Sequence, residues 1–139
     1  MMNTQVSLLQ TRELRSVRRD DETDQWIFDF GEGYVLQVAS PWRLMKDDAI
    51  ALGHCDHGQR FGLTQPVDAE AEVCELVKDR VVVDAVVLNG SADLLVDFGA
   101  GIRLEIFNSS AGYEGWSLNA PDGGLLVAQG GGSLVGKKE

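Results

Sequence analysis

Residues 26–38 read W-I-F-D-F-G-E-G-Y-V-L-Q-V, and residues 94–106 read L-L-V-D-F-G-A-G-I-R-L-E-I. Each is an alternating apolar strand, the turn Asp-Phe-Gly-x-Gly, and a second alternating strand. In the first copy Trp26, Phe28 and Phe30 share one face and Tyr34, Leu36 and Val38 continue it. In the second, Leu94, Val96 and Phe98 are followed by Ile102, Leu104 and Ile106. A period of two places each set on one side of a sheet, so both sets are expected to be core. The glycines at 31, 33, 99 and 101 supply the positive φ of a tight hairpin. Because they join two strands and do not open a helix, they are not a dinucleotide or phosphate loop. Asp29 and Asp97 are expected to cap the turns through their side-chain oxygens. Arg103 and Glu105 point away from the core, giving the second hairpin one wet face.

The copies lie at a constant 68-residue offset (26 to 94, 38 to 106). The same offset aligns Leu9 with Val77, Arg12 with Arg80 and Leu14 with Val82. It raises an internal duplication as an expectation, with halves at about 3–38 and 68–106. Five identities in thirteen positions also fit convergent hairpin chemistry.

Outward from the hairpins, residues 3–12 suggest a short N-terminal helix capped by Asn3 or Thr4, and Glu13–Arg19 a first strand. Asp20–Asp24 reads as an exposed turn. From Arg43 to Gly62 the pattern is poor, and 53–58 (G-H-C-D-H-G) reads as a surface loop bracketed by glycines. The best helix is predicted near 65–78: Thr64 can cap it, Pro66 suits its first turn, and Ala69, Val73, Leu76 and Val77 form its apolar stripe. Val81–Leu88 reads as a strand before the Asn89-Gly90 turn, and a β-meander follows over 113–135. The expected architecture is α+β: one domain over 1–139, predominantly antiparallel sheet of about eight strands, with one clear helix.

The 139 residues suffice for one buried core. The apolar runs are too short for a membrane-spanning helix, and Met1–Gln10 has no basic region followed by an apolar block. Cys55 and Cys74 read as free thiols, which with the preceding points gives a cytoplasmic expectation. The net charge of -10 argues against nucleic acid or an anionic membrane as ligand and favours a basic protein partner.

The second half, with F-G-A-G-I-R-L-E-I at 98–106, Y-E-G-W-S-L at 113–118, the Pro121-Asp122-Gly123 turn and glycines 130–132, resembles small uncharacterised bacterial families of unknown function. Their members share F-x-x-G-x-x-L-x-I, Y-E-x-W-x-L, a P-D-G turn and a late G-G-x-L. The resemblance covers about 64–135 and implies no catalytic residue. Small proteins of this appearance are often immunity proteins or accessory genes beside bacterial toxin systems, which is an association and not a mechanism. Here the last strand ends in Gly136-Lys137-Lys138-Glu139, where similar proteins often carry an aromatic residue.

Three sets of residues could carry function. Asp68, Glu72, Glu75 and Asp79, spaced 4, 3 and 4, fall within about one fifth of a helix circumference, clear of the apolar stripe. Such a face is either plain solvated surface or a seat for a cationic partner. Glu114 beside Trp116 offers a recognition patch, against the plainer reading that Trp116 and Leu118 fill the core. His54, Cys55 and His57 are metal-competent types, and His54 and His57 could both reach one ion from a turn, but their spacing matches no standard zinc pattern; against Cys55 as a nucleophile, neighbouring side chains in an extended loop point apart. No cofactor is expected. The leading expectation is a noncatalytic acidic binding protein, an immunity-type inhibitor of a basic bacterial protein. The alternatives are a small-ligand or metal-binding module using the 43–62 loop, and a structural self-associating domain, monomer or homodimer, pairing through the uncharged edge strand 125–129.

Overall fold

A computed structural model describes residues 3–137; Met1, Met2, Lys138 and Glu139 lie outside it, and with them the end of the 136–139 tail. In chain order the elements are β1 (Thr4–Gln5), β2 (Ser16–Asp20), β3 (Gln25–Asp29), β4 (Val35–Val38), β5 (Trp42–Lys46), β6 (Ala49–Gly53), α1 (Ala69–Leu76), β7 (Asp84–Val87), β8 (Leu94–Asp97), β9 (Ile102–Ile106), β10 (Trp116–Asn119), β11 (Leu125–Ala128) and β12 (Leu134–Lys137). All pairings are antiparallel, in two six-stranded sheets. Sheet I has the order β1-β7-β8-β9-β5-β6 and sheet II the order β12-β11-β10-β4-β3-β2. The expectation of mostly antiparallel sheet with one helix holds. The strand count does not: the described residues form twelve strands, not about eight.

The two Asp-Phe-Gly-x-Gly hairpins lie in different sheets. In sheet II, Trp26 faces Val38 and Phe28 faces Leu36; in sheet I, Leu94 faces Ile106 and Val96 faces Leu104, the same register at the 68-residue offset. The turns match bond for bond. Asp29 and Asp97 each accept the N–H two residues on, from Gly31 and Gly99, at 2.7 Å. Glu32 and Ala100 both sit in the left-handed region (φ 54° and 50°), each between two glycines that are left-handed as well. With β2 and β7 added, 16–38 and 84–106 are each a three-stranded meander.

The hairpin after each meander crosses to the opposite sheet. β5–β6 follows β4 but pairs with β9, and β10–β11 follows β9 but pairs with β4. Trp42 faces Ile106, and Trp116 faces Val38, so the two tryptophans hold matched positions. The segments preceding the meanders cross as well. α1 precedes β7 but packs on β2, and the 3-10 turn Ser7–Leu9 precedes β2 but packs on β7. Each sheet thus draws strands from both halves, and one buried cluster joins them. Trp42 of sheet I meets Trp26 and Phe28 of sheet II edge-to-face at 5.0 and 5.3 Å.

Four readings need correction. Residues 43–53 form the hairpin β5–β6 where a structureless stretch was expected. Its turn is Asp47-Asp48, both left-handed (φ 52° and 64°) without a glycine, and a register shift between Leu44 and Met45 breaks the alternation. The N-terminal segment is the short strand β1 and a 3-10 turn, not an α-helix. The helix starts later and ends sooner than 65–78. Gly58 and Val67, and Val67 and Gln59, are joined by backbone hydrogen bonds that fold 58–67 into a loop, so Asp68 rather than Thr64 caps α1, accepting the Ala71 N–H at 3.1 Å. Finally, β11 is flanked by β10 and β12, so the strand 125–129 presents no free edge for self-pairing.

The buried stripe of α1 is Ala69, Val73 and Val77, with Leu76 packed beside it. The same helix closes the edge of sheet II: Glu70 accepts the outward Arg19 N–H at 2.9 Å, and Cys74, one turn on, stands against Val17. Burial pushes the Cys74 thiol up, against a smaller opposing pull from the Val17 N–H.

Candidate functional site

The acidic positions do not form one face. Asp68 is the cap of α1, its side chain turned onto Ala71. Glu72 and Glu75 are exposed on the helix, and no ion pair reaches either among the described residues. Asp79 lies past the helix end in a left-handed turn (φ 61°), so helical spacing does not carry it onto the same stripe. It borders a hollow between 13–15 and the end of α1, beside Lys78 and Arg80. Glu114 is exposed at a separate small hollow of about 110 Å³ with Gln25 and Gln37. The Glu114–Trp116 patch does not form. Trp116 and Leu118 are core, and the Trp116 Nε1–H is tied to the Ala92 carbonyl at 2.8 Å.

What the acidic pair has beside it is apolar. The loop 60–67 leads into α1, held by Arg60, whose guanidinium donates to the Thr64 carbonyl at 2.7 Å. Phe61 (68% exposed) and Leu63 (59%) stand in solvent. Leu63, Pro66 and Ala71 line an open groove of about 530 Å³ whose rim carries Asp68, Glu72 and Glu75. Sequence reasoning found the carboxylates and missed the apolar groove, because an exposed Leu in a loop looks the same in sequence as a buried one.

A second concavity of about 540 Å³ opens at 53–58, lined by Trp26, Ser40, Pro41, His54, Cys55 and His57, with Arg19 and Asp24 at its side. His54 and Cys55 do not point apart as expected. They sit in the turn after β6, with His54 Nε2 3.1 Å from Cys55 Sγ. His57 Nδ1 accepts the Ala69 N–H at the start of α1 (3.0 Å), which places its proton on Nε2, and its ring meets Trp26 edge-on at 5.5 Å. Among the described residues no three His, Cys, Asp or Glu side chains converge as a metal site. Cys55 is exposed, Cys74 half-buried, and both are free thiols.

Elsewhere, Glu105 departs from its expected wet setting. It faces outward but is only 5% exposed, clamped by Arg43 at 2.7 Å and Arg103 at 2.6 Å, with Arg43 stacked over Phe107. Burial pushes its carboxyl up, but the two guanidinium groups outweigh that and leave it below the ordinary carboxylate value.

The fold defines a two-sheet antiparallel protein built from two matched meander-and-hairpin units, one helix closing a sheet edge. The chain belongs to the family of unknown function DUF6188, whose model matches residues 7–136 and so reaches well before the motifs of the second half. No curated protein and no solved structure matches it. Among the described residues no helix is long and apolar enough to cross a membrane.

Proposed function

We propose that the protein is a noncatalytic binding protein that docks on a basic bacterial protein through the groove between loop 60–67 and α1, as an immunity-type inhibitor covering its partner's active site. One observation carries the reading: Leu63, more than half exposed, lines one groove with Glu72 and Glu75, which no ion pair reaches among the described residues. Exposed apolar side chains rimmed by like charge suit an interface, where the apolar part supplies affinity and the charge supplies steering and orientation. The net charge of -10 adds a long-range field that speeds encounter with a cationic surface.

The test is binding to the product of the neighbouring gene at low and at moderate salt. Binding that weakens as salt rises, and weakens about tenfold or more in Glu72→Lys/Glu75→Lys, is the expected result. Absence of binding at both salts, or undiminished binding by the charge-reversed protein, contradicts the proposal.

A further inference from the structure

The two matched units differ at one place in a way that points to a ligand. Ser40 and Asn108 stand at the same 68-residue offset, just beyond β4 and β9. In the second unit the half-buried Asn108 donates from its carboxamide Nδ2 to the Ser91 carbonyl at 3.0 Å and the Gln129 carbonyl at 2.9 Å, while its Oδ1 is buried without a partner among the described residues. Gly115 passes so close to it that a Cβ there would meet Asn108 Oδ1. Nearby, the Trp116 indole N–H finds the Ala92 carbonyl.

In the first unit those positions are Ser40, Cys55 and Trp42. Cys55 corresponds to Gln129 because it follows His54, whose N–H meets the Trp42 carbonyl, as Gln129 follows Ala128, the partner of Trp116. Here the space is open, and it is the 540 Å³ cleft. The Ser40 hydroxyl and the Trp42 Nε1–H are buried, with residue exposures of 9% and 1%, and neither finds a hydrogen-bond partner among the described residues. Ser40 lines the cleft. So does Asp24, which by the same offset is the position of Ala92, the residue that takes the matched indole N–H. A buried polar group without a partner is costly, and of the three such atoms among the described residues the Ser40 hydroxyl is the one on a cleft wall, where a ligand can complete it.

We infer that this cleft binds a small molecule carrying a primary carboxamide on an apolar or aromatic body, the free equivalent of the Asn108 side chain. Its carbonyl oxygen accepts from the Ser40 hydroxyl, and its body lies along Trp26 and Pro41. The His57 Nε2–H is a further donor in the wall. A carboxylate suits the place less well. Asp24 is there, Asp21 is bound to the same Arg19, and the whole chain is anionic.

Cys55 on the cleft wall is a built-in reporter. In a Cys74→Ser background, the rate at which the neutral reagent methyl methanethiosulfonate modifies Cys55 is measured with benzamide or benzoate present. Benzamide at ten times its Kd is expected to slow modification about tenfold, with benzoate well behind. Ser40→Asn, which supplies the carboxamide covalently as in the second unit, is expected to abolish that protection while its melting temperature stays level or rises. Saturation-transfer NMR of benzamide with the native chain reads the same binding without the cysteine. No protection and no transfer with native protein, equal protection by benzoate, or undiminished protection in a folded Ser40→Asn variant would each overturn the inference. None of these outcomes bears on docking at α1, which uses the other groove.

Discussion

The two units of this protein are a controlled comparison carried in one chain. From β2 to β4 and from β7 to β9 they share strand register, turn hydrogen bonds and left-handed positions. They diverge in what decorates that frame. On the outer face of sheet I, Glu105 is clamped by Arg43 and Arg103; the matched positions on sheet II are Gln37, Ser117 and Val35, without charge. Before β7 the chain builds loop 54–67 and α1, where before β2 the described residues make only a strand of two residues and a 3-10 turn. The shared frame is what alternation and tight turns dictate. The differences are where partner-specific chemistry has room, since a change there leaves the core packing intact.

The largest expected effect tests the shared frame. Leu36 and Leu104 are fully buried at matched register, so Leu36→Ala and Leu104→Ala should each cost about 2–5 kcal/mol in urea unfolding, differing by about 1 kcal/mol or less. A full cost at one and a negligible cost at the other would mean the units are not energetically equivalent.

Next comes the charged difference between the sheets. Glu105→Gln should cost about 1–3 kcal/mol at neutral pH, because two guanidinium groups lose a buried partner. The folded-state pKa of Glu105 lies below its ordinary value of 4.5, so its contribution is fully present above that value and is lost as pH falls through the folded pKa. The gap between native and variant midpoints should therefore narrow as urea titrations move to lower pH. A constant gap across the acid range would remove the ion cluster as its cause.

A smaller effect separates the matched tryptophans. Trp116→Phe deletes a buried hydrogen bond and orphans the Ala92 carbonyl, whereas Trp42→Phe removes a donor that has no partner among the described residues. Beyond the packing loss common to both, Trp116→Phe should cost about 1 kcal/mol more. The smallest effect is on the docking surface. Reversing Glu72 or Glu75 relieves like-charge neighbours on a helix, so stability should change by only a few tenths of a kcal/mol, about 0.5 at most, while partner binding falls. A loss of binding with a matching loss of stability would indicate damage to the fold instead.

Much of the frame was legible in the sequence. Alternation from Trp26 to Phe30 and from Leu94 to Phe98 fixed which faces are buried, and Gly-x-Gly fixed the turns. Alternation says nothing of which strand lies alongside. The exchange of β5–β6 and β10–β11 between sheets therefore had no sequence signal, and β5–β6 itself was hidden by a glycine-free turn and a register shift. Of the candidate site, Glu72 and Glu75 were readable from helical spacing. Asp79 was not, because Val77 ends the helix. The groove with Leu63 depends on how 58–67 closes through Gly58, Gln59 and Val67. The cleft at Ser40 was within reach: carrying the 68-residue offset two positions past Val38 and Ile106 sets serine against asparagine.

If the segment that breaks the internal match is the working surface, a photo-crosslinking side chain at position 63 should capture a basic protein in the native host, and the same group at position 127, on the outer face of sheet II, should not. The account predicts that the position-63 adduct disappears when Glu72 and Glu75 are reversed to lysine. Equal capture from both positions, or a position-63 adduct that survives charge reversal, would contradict it.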